Sequence, residues 1–529
     1  MKKKFPKKYI PLLFSIGIVM GIFLGTLLNF DRNDISLLQE NGKKEKLNKL
    51  IDYLDYEYID TVNTDSIVDI TVNEILNKLD PHSSYIPSQN RQENEDNMKG
   101  DFVGVGISYH TIKDSVAVIS TIKGGPSEKA GIKAGDRIVY ADDTPLLGKE
   151  FIDDSLRIIL SGQINTAVQL RVKRQGVDEL LDIKVKRGTV PIVSVEASYM
   201  LTPSLGYIKV NRFAESTDKE FTQALTNLKE QGATQLALDL RDNPGGYVYS
   251  AENVVDEFLE EDKLILFTKN KTGKISKTFA RGDGVFEDGE LFIIINENSA
   301  SASEIVAGAI QDNDKGIIVG RRSFGKGLVQ REMSLGDGSA VRLTIARYYT
   351  PTGRSIQRPY ELGDKTYFEE YLRRYENGEL RSADNIEVAD SLKFKTPLGK
   401  VVYGGGGITP DVFVPKNTSY EVEHLNYVLR SGYMRTFAFE LLEKDRAYYN
   451  ALSQEDFNEE VEITDEIIED FISFTGERGI SLRTDSYRDS YKLYIKATVA
   501  KQLFGDNAFE MMVNRDDAMV QKVIELSTN

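Results

Sequence analysis

The chain of 529 residues carries 82 acidic against 66 basic side chains, a formal charge of −16, and at roughly 100–200 residues per domain it has room for about three or four domains. Its 40% hydrophobic and 28% charged content is that of a globular protein with real cores, and the acidic balance excludes a general nucleic-acid binder, which needs a basic footprint. The absence of cysteine excludes thiol catalysis, disulfides and thiolate-bound zinc, and only His82, His110 and His424 are available for imidazole chemistry.

Five lysines and no acid fill the first nine residues, and an uncharged stretch follows from Ile10 to Phe30. About 20 apolar residues suffice to cross a bilayer, and flanking lysines stay cytoplasmic. The expectation for 1–30 is therefore a transmembrane anchor in the cytoplasmic (inner) membrane, with everything after it extracytoplasmic (periplasmic). The alternative is a signal peptide cleaved to release a secreted form. Such a peptide would have a shorter apolar run and a small-x-small exit. Residues 31–42 read as a polar tether. Apolar residues from 45 to 79 recur at helical spacing and break at Asp60–Thr64, which predicts a helical hairpin ended by Asp80-Pro81-His82.

From 102 to 188 the texture changes to short alternating segments divided by Gly and Pro, with one helical stretch near 150–160: a compact module made mainly of strands. Its Gly104-Val105-Gly106-Ile107 run is followed by a strand, which argues against a nucleotide loop, since that needs GxGxxG opening a helix. The chemical alternative is a nest of backbone N–H groups from Val105 to Ile107 that takes a peptide's terminal carboxylate while the peptide adds a strand. The plainer alternative is a glycine turn supporting a small barrel. Together with Ala130-Gly-Ile-Lys-Ala-Gly135-Asp136, the run resembles a bacterial PDZ domain.

Strands and helices alternate from about 190 to 360, which favours an α/β layer. Within it, an apolar strand over 291–295 runs through Ser299-Ala300-Ser301-Ala302-Ser303-Glu304 into a helix. A serine there would sit among free N–H groups that favour an oxyanion; the same serines also suit simple helix capping. No histidine lies in this segment, so a Ser-His-Asp triad would need one from elsewhere. Lys326, between Gly325 and Gly327 in an apolar run, is the simpler base, and Gln330 four residues on faces the same way. A lysine base must be neutral, which requires burial without a carboxylate partner; otherwise Lys326 is a surface residue in a glycine turn. Leu236 to Gly246 is a strand entering a Pro-Gly-Gly turn, either a source of a second oxyanion donor or a plain turn. From 416 to 529 the chain is acidic and helical.

Taken together, LDPHSSY (79–85), the PDZ-like module, GYIKV (206–210), LDLRDNPGG (238–246), SASASEI (299–305), FGKG with Gln330, TGRSIQ (352–357) and GGITPD (406–411) resemble the C-terminal processing peptidases, the PDZ-containing Ser/Lys peptidases of the tail-specific protease family. The resemblance implies Ser301 as nucleophile, Lys326 as general base and Gln330 as its orienter. It further implies an oxyanion hole from the backbone of Ala302 and of Gly245 or Gly246, with a peptide C-terminus bound at Gly104, Val105, Gly106 and Ile107. The implied reaction is acyl-enzyme hydrolysis of protein substrates near their free C-termini, with no metal or organic cofactor, so that a chelator leaves activity unchanged. Two departures stand out: about 45 residues (361–405) separate TGRSIQ from GGITPD, and Ser161-Gly162 stands where many relatives carry Arg-Gly.

The expected fold is multidomain, α/β and α+β. It comprises the N-terminal membrane helix, a tether and helical region to residue 100, a PDZ domain at 101–188, a Ser/Lys peptidase core at 189–415 with the 361–405 insertion, and a helical extension at 416–529. The insertion and the acidic tail suit a homodimer contact, substrate capture or an adaptor protein. Rival functions are a membrane-tethered PDZ adaptor with a dead peptidase domain, an esterase, and a secreted structural protein.

Overall fold

A computed structural model of the chain describes residues 15–20, 42–112, 115–146, 153–360, 364–482 and 487–528. They form two compact units, Met1–Lys78 and Leu79–Asn529. In the first, helices Gly42–Tyr56 and Thr64–Leu76 flank the interruption foreseen at 60–64, and the Asn63 side chain caps the second by accepting from the Ser66 N–H. Ser15–Met20 are helical. The rest of the expected membrane helix lies outside the described residues, and among the described residues no helix is long and apolar enough to cross a membrane.

In the second unit, the strand-rich module is an antiparallel sheet in the order Ile107–Ile112, Ser115–Thr121, Arg137–Ala141, Ala167–Lys173, Leu181–Lys186. Val168, Leu170 and Val172 alternate with more exposed neighbours, so one face packs inward, where Val116, Val118, Ile138, Leu156 and Val185 meet them. Strand Asp101–Gly104 pairs with Gly188–Pro191 at the module's base.

The α/β core is built on a six-stranded sheet in the order Val195–Met200, Leu205–Val210, Gln235–Asp239, Glu290–Ile295, Gly316–Gly320, Val412–Phe413. The first pair is antiparallel and the rest are parallel. The inner strands are buried on both faces, which is why Leu236–Leu238 and Leu291–Ile295 read as unbroken apolar runs. Leu236, Leu238, Ile293 and Ile295 face helices Thr217–Glu230, Val248–Asp256 and Ala302–Asp312 through Phe221, Leu225, Val254 and Ile305. The residues between them, Ala237, Phe292 and Ile294, face the other way, onto Met519, Val520 and Val523 of the last helix, Ala518–Ser527. The C-terminal extension therefore supplies a layer of the core.

A second sheet joins Ser84–Ile86, Ala340–Tyr349, Leu264–Asn270 and Ile275–Phe279, with Leu328–Ser334 paired to Ala340–Tyr349. It brings the turn at 80–84 beside Gln330. The described part of the insertion forms helices Asp364–Phe368 and Glu370–Glu376 and a hairpin of Lys393–Lys395 with Val401–Tyr403. The rest of the tail has its own core around Phe437, Leu442, Phe457, Phe471, Tyr491 and Ile495.

Candidate active site

Strand Glu290–Ile295 ends in a turn that lifts Ser301 to the N-terminus of helix Ala302–Asp312. Ser301 takes φ 55° and ψ −110°, a sparsely populated conformation that persists only where the surroundings enforce it. Its neighbours do so. The Ser301 N–H donates to the Glu304 carboxylate (2.8 Å) and the Tyr348 hydroxyl reaches the Ser301 carbonyl (3.1 Å). The turn 243–246 presses from the other side: a Cβ on Gly245 would lie 2.8 Å from the Ala302 nitrogen and from the Ser301 Cβ. With φ +101° as well, position 245 is closed to any larger residue.

Hydrogen bonding separates the three serines that the sequence leaves open. Ser299 Oγ donates to the Leu240 carbonyl (2.7 Å) and accepts from the Asn296 N–H (2.9 Å). Ser303 Oγ donates to the Asn243 carbonyl (3.0 Å). Both are fully buried, whereas Ser301 retains 8% exposure. Ser299 and Ser303 thus fasten the 238–246 turn to the serine turn and the helix after it, and of the three serines only Ser301 has a hydroxyl that does not donate to a carbonyl.

Lys326 is brought to the same place by partners shared with Ser301. Glu304 also accepts from the Lys326 N–H (2.9 Å), the Gly325 N–H (2.6 Å) and Ser323 Oγ (2.5 Å), and the Tyr348 hydroxyl also lies 2.8 Å from the Lys326 carbonyl. One carboxylate and one phenol therefore tie the main chains of both residues together. Burial pushes the Glu304 carboxyl above its ordinary range, against the pull of its four donors.

The Lys326 ammonium donates to Gln330 Oε1 at 3.0 Å, and no carboxylate among the described residues forms an ion pair with it. Burial, aided by the Arg342 guanidinium and opposed by Glu304 and Asp80, lowers its pKa to about 8. This is the environment a lysine base requires. His82 is no rival, because burial and the nearby Lys326 cation hold its pKa at about 3. The ring is neutral at physiological pH; its Nε2 lies 2.7 Å from the Tyr367 hydroxyl, and its carbonyl accepts from Gln330 Nε2.

Of the two candidate glycine donors, Gly245 already gives its N–H to Asn243 Oδ1 (2.9 Å). Gly246 is bridged to Phe213, and its backbone is packed so closely there that a Cβ would lie 2.0 Å from the Phe213 carbonyl oxygen. In the strand-rich module, Val105, Gly106 and Ile107 line a cavity of about 270 Å³ with Phe102, Tyr109 and Leu160, walled on one side by Glu93, Asp96 and Asn97. Gly104 does not line it; a Cβ there would meet the Phe102 ring at 2.7 Å.

Sequence reasoning missed the roles of Glu304, Tyr348, Arg342 and Tyr367. For Glu304 the signal was present, since Ser301-x-x-Glu304 is the spacing of a capping box. The other three lie on a distant strand and in the insertion, where nothing local marks them.

Peptidase family S41 matches residues 204–362 and a PDZ domain matches 103–185, while a family of unknown function matches 424–505. The carboxy-terminal-processing protease of Bartonella bacilliformis is 33% identical over 351 residues, spanning 65% of this chain and 80% of its own length. Carboxy-terminal processing protease CtpA of Bacillus subtilis is 30% identical over 379 residues, 67% of this chain and 80% of its own. Among solved structures, the photosystem II D1 C-terminal processing protease is 27% identical with a TM-score of 0.35, over 70% of this chain and 87% of its own. With its serine, lysine and PDZ module in these positions, the chain belongs to peptidase family S41 and is a serine peptidase of the carboxy-terminal processing type.

Proposed function

We propose that the protein cleaves protein substrates near their free C-termini, with Ser301 as nucleophile, Lys326 as base and the PDZ module as the reader of the tail. The observation that carries the reading is the Lys326 amine: buried, free of any carboxylate partner among the described residues, held by Gln330, and carried on a loop whose main chain shares Glu304 and Tyr348 with Ser301, the one of the three turn serines whose hydroxyl does not donate to a carbonyl. In the first step Ser301 Oγ attacks the scissile carbonyl as its proton passes to neutral Lys326. The Ala302 and Gly246 N–H groups receive the oxyanion, and the ammonium then protonates the leaving amine. Water activated by the same lysine hydrolyses the acyl-enzyme, which restores both residues.

The 270 Å³ cavity at Val105–Ile107 has the apolar lining that suits a substrate's last side chain. The uncharged Ile10–Phe30 stretch and the lysines before it support an anchor in the cytoplasmic membrane, with the peptidase on the far side. Incubating a reporter protein with a flexible, apolar-ended tail and reading the products by mass spectrometry tests the reading. Wild type is expected to shorten the tail and Ser301→Ala to leave it intact. Equal background cleavage by both would return the chain to the class of PDZ adaptors.

A further inference from the structure

Resting on that Ser/Lys reading, we propose that Tyr367, carried by the 361–405 insertion, is a positioning residue for the reaction: it walls off the lysine loop and holds His82, whose carbonyl fixes the orientation of Gln330. Tyr367 sits in the short helix Asp364–Phe368 and is only 3% exposed. Its hydroxyl lies 2.7 Å from His82 Nε2, and the two rings meet edge to face at 5.2 Å. The Arg358 guanidinium sits in the corner formed by the Tyr367 ring (3.8 Å) and the ring of Phe324 (3.9 Å), two residues before the base; the two rings meet edge to face at 6.0 Å.

The link to the base is directional. A glutamine amide can present either its oxygen or its NH₂ group, and only the oxygen can accept from Lys326. The His82 carbonyl takes the Gln330 NH₂ group, which leaves Gln330 Oε1 facing the amine at 3.0 Å. His82 is itself held at both ends. Asp80 Oδ1 accepts from the His82 and Ser83 N–H groups at 2.9 Å, and Tyr367 takes the ring. The insertion is anchored where this matters: Arg374 donates to the carbonyls of Arg322 (3.1 Å) and Ser323 (2.9 Å), just before Phe324.

The charged and titratable groups around Lys326 come from every neighbouring element. They are Arg342 on strand Ala340–Tyr349, Glu304 on helix Ala302–Asp312, and Asp80 and His82 in the preceding turn. Arg358 stands beyond His82, against Tyr367. Truncating Tyr367 admits water among these groups, which favours the ammonium and moves the pH at which the base becomes neutral upward.

The experiment measures kcat and KM across pH 6–10 with the tailed reporter protein, for wild type, Tyr367→Phe, Tyr367→Ala and Ser301→Ala, with circular dichroism to give the folded fraction of each. Tyr367→Phe keeps the ring and loses only the hydroxyl; the expected result is a kcat lowered about fivefold with KM unchanged. Tyr367→Ala is expected to move the acid limb of kcat up by about one pH unit. The proposal is overturned if Tyr367→Phe matches wild type while Tyr367→Ala loses activity only in proportion to its folded fraction, or if neither variant departs from wild type. Cleavage that persists in Ser301→Ala overturns the Ser/Lys reading itself, a failure distinct from either of these.

Discussion

At the scale of single residues, the proposed chemistry turns on the Lys326 amine, whose pKa burial lowers to about 8. Because neutral lysine is the reactive form, kcat/KM should rise with pH through that value and level off above it. A pH–rate profile checks this, and a limb near pH 6.5 would instead implicate a histidine. The same shift bears on stability. An unfolded lysine keeps its proton to about pH 10.4, so below about pH 8 the folded state carries the full cost of a desolvated cation, and stability should climb as pH rises from 8 towards 10.4. Lys326→Met removes that cost. It should abolish cleavage yet stabilise the protein at neutral pH, by an upper bound of about 3 kcal/mol, read as a shift in the urea midpoint. Glu304 sets the opposite case. Glu304→Gln offers an NH₂ group where four donors converge, and losing satisfied partners in a buried site costs about 1–3 kcal/mol. The variant should melt earlier and lose activity even though neither reacting side chain has changed.

Between elements, the insertion is held to the lysine loop by buried charge. Arg322 donates to both oxygens of Glu379 at 2.7 and 2.6 Å, and Glu370 and Arg374 complete the cluster. Glu379→Ala leaves the buried Arg322 and Arg374 cations to share Glu370 alone and should cost about 3 kcal/mol, whereas replacing both Arg322 and Glu379 by apolar residues should cost far less; chemical denaturation of the single and double variants distinguishes the two. Such long-range pairing also marks the limit of what the sequence discloses. The strand over 291–295 is legible because Leu291–Ile295 is apolar throughout, as a strand covered on both faces must be. The hairpin break at 60–64 and the serine turn are legible for similarly local reasons. That Ser301 rather than Ser299 or Ser303 is free to react is not legible from local pattern, because the carbonyls of Leu240 and Asn243 that engage the other two hydroxyls lie some 60 residues away in the chain. Only resemblance to a family singles it out beforehand. Tyr367 leaves no trace at all: it is one of 26 tyrosines, in a charged segment whose hydrophobic spacing gives no hint that its ring is buried.

For the molecule as a whole, the acidic tail joins the peptidase core and the PDZ module. On one side Phe439 is buried against Ile112, Ala117 and Ile119 of the module, with Arg137 and Arg446 over its ring. On the other, helix Ala518–Ser527 covers the sheet face formed by Leu205, Tyr207, Phe292, Ile294 and Val319. Asp517 caps that helix through Oδ1 and pairs through Oδ2 with Arg241 at 2.7 Å, only three residues before Pro244 and the glycine turn that presses on Ser301. Ending the chain after Asp516 would therefore remove a layer of the catalytic domain along with the pair that steadies its turn. Burial of Met519, Val520 and Val523 alone contributes about 5–9 kcal/mol, which is comparable to the whole stability of an ordinary domain. The shortened protein should bind a hydrophobic dye, aggregate on a sizing column and lose cleavage. The single change Asp517→Asn, which keeps the cap and weakens the pair, should leave it folded with a lower kcat. A chain ending at Asp516 that stays monomeric, unfolds cooperatively and cleaves at the full rate would show that the sheet does not need its last helix, and that the tail's part in the enzyme is confined to Phe439 and the module it holds.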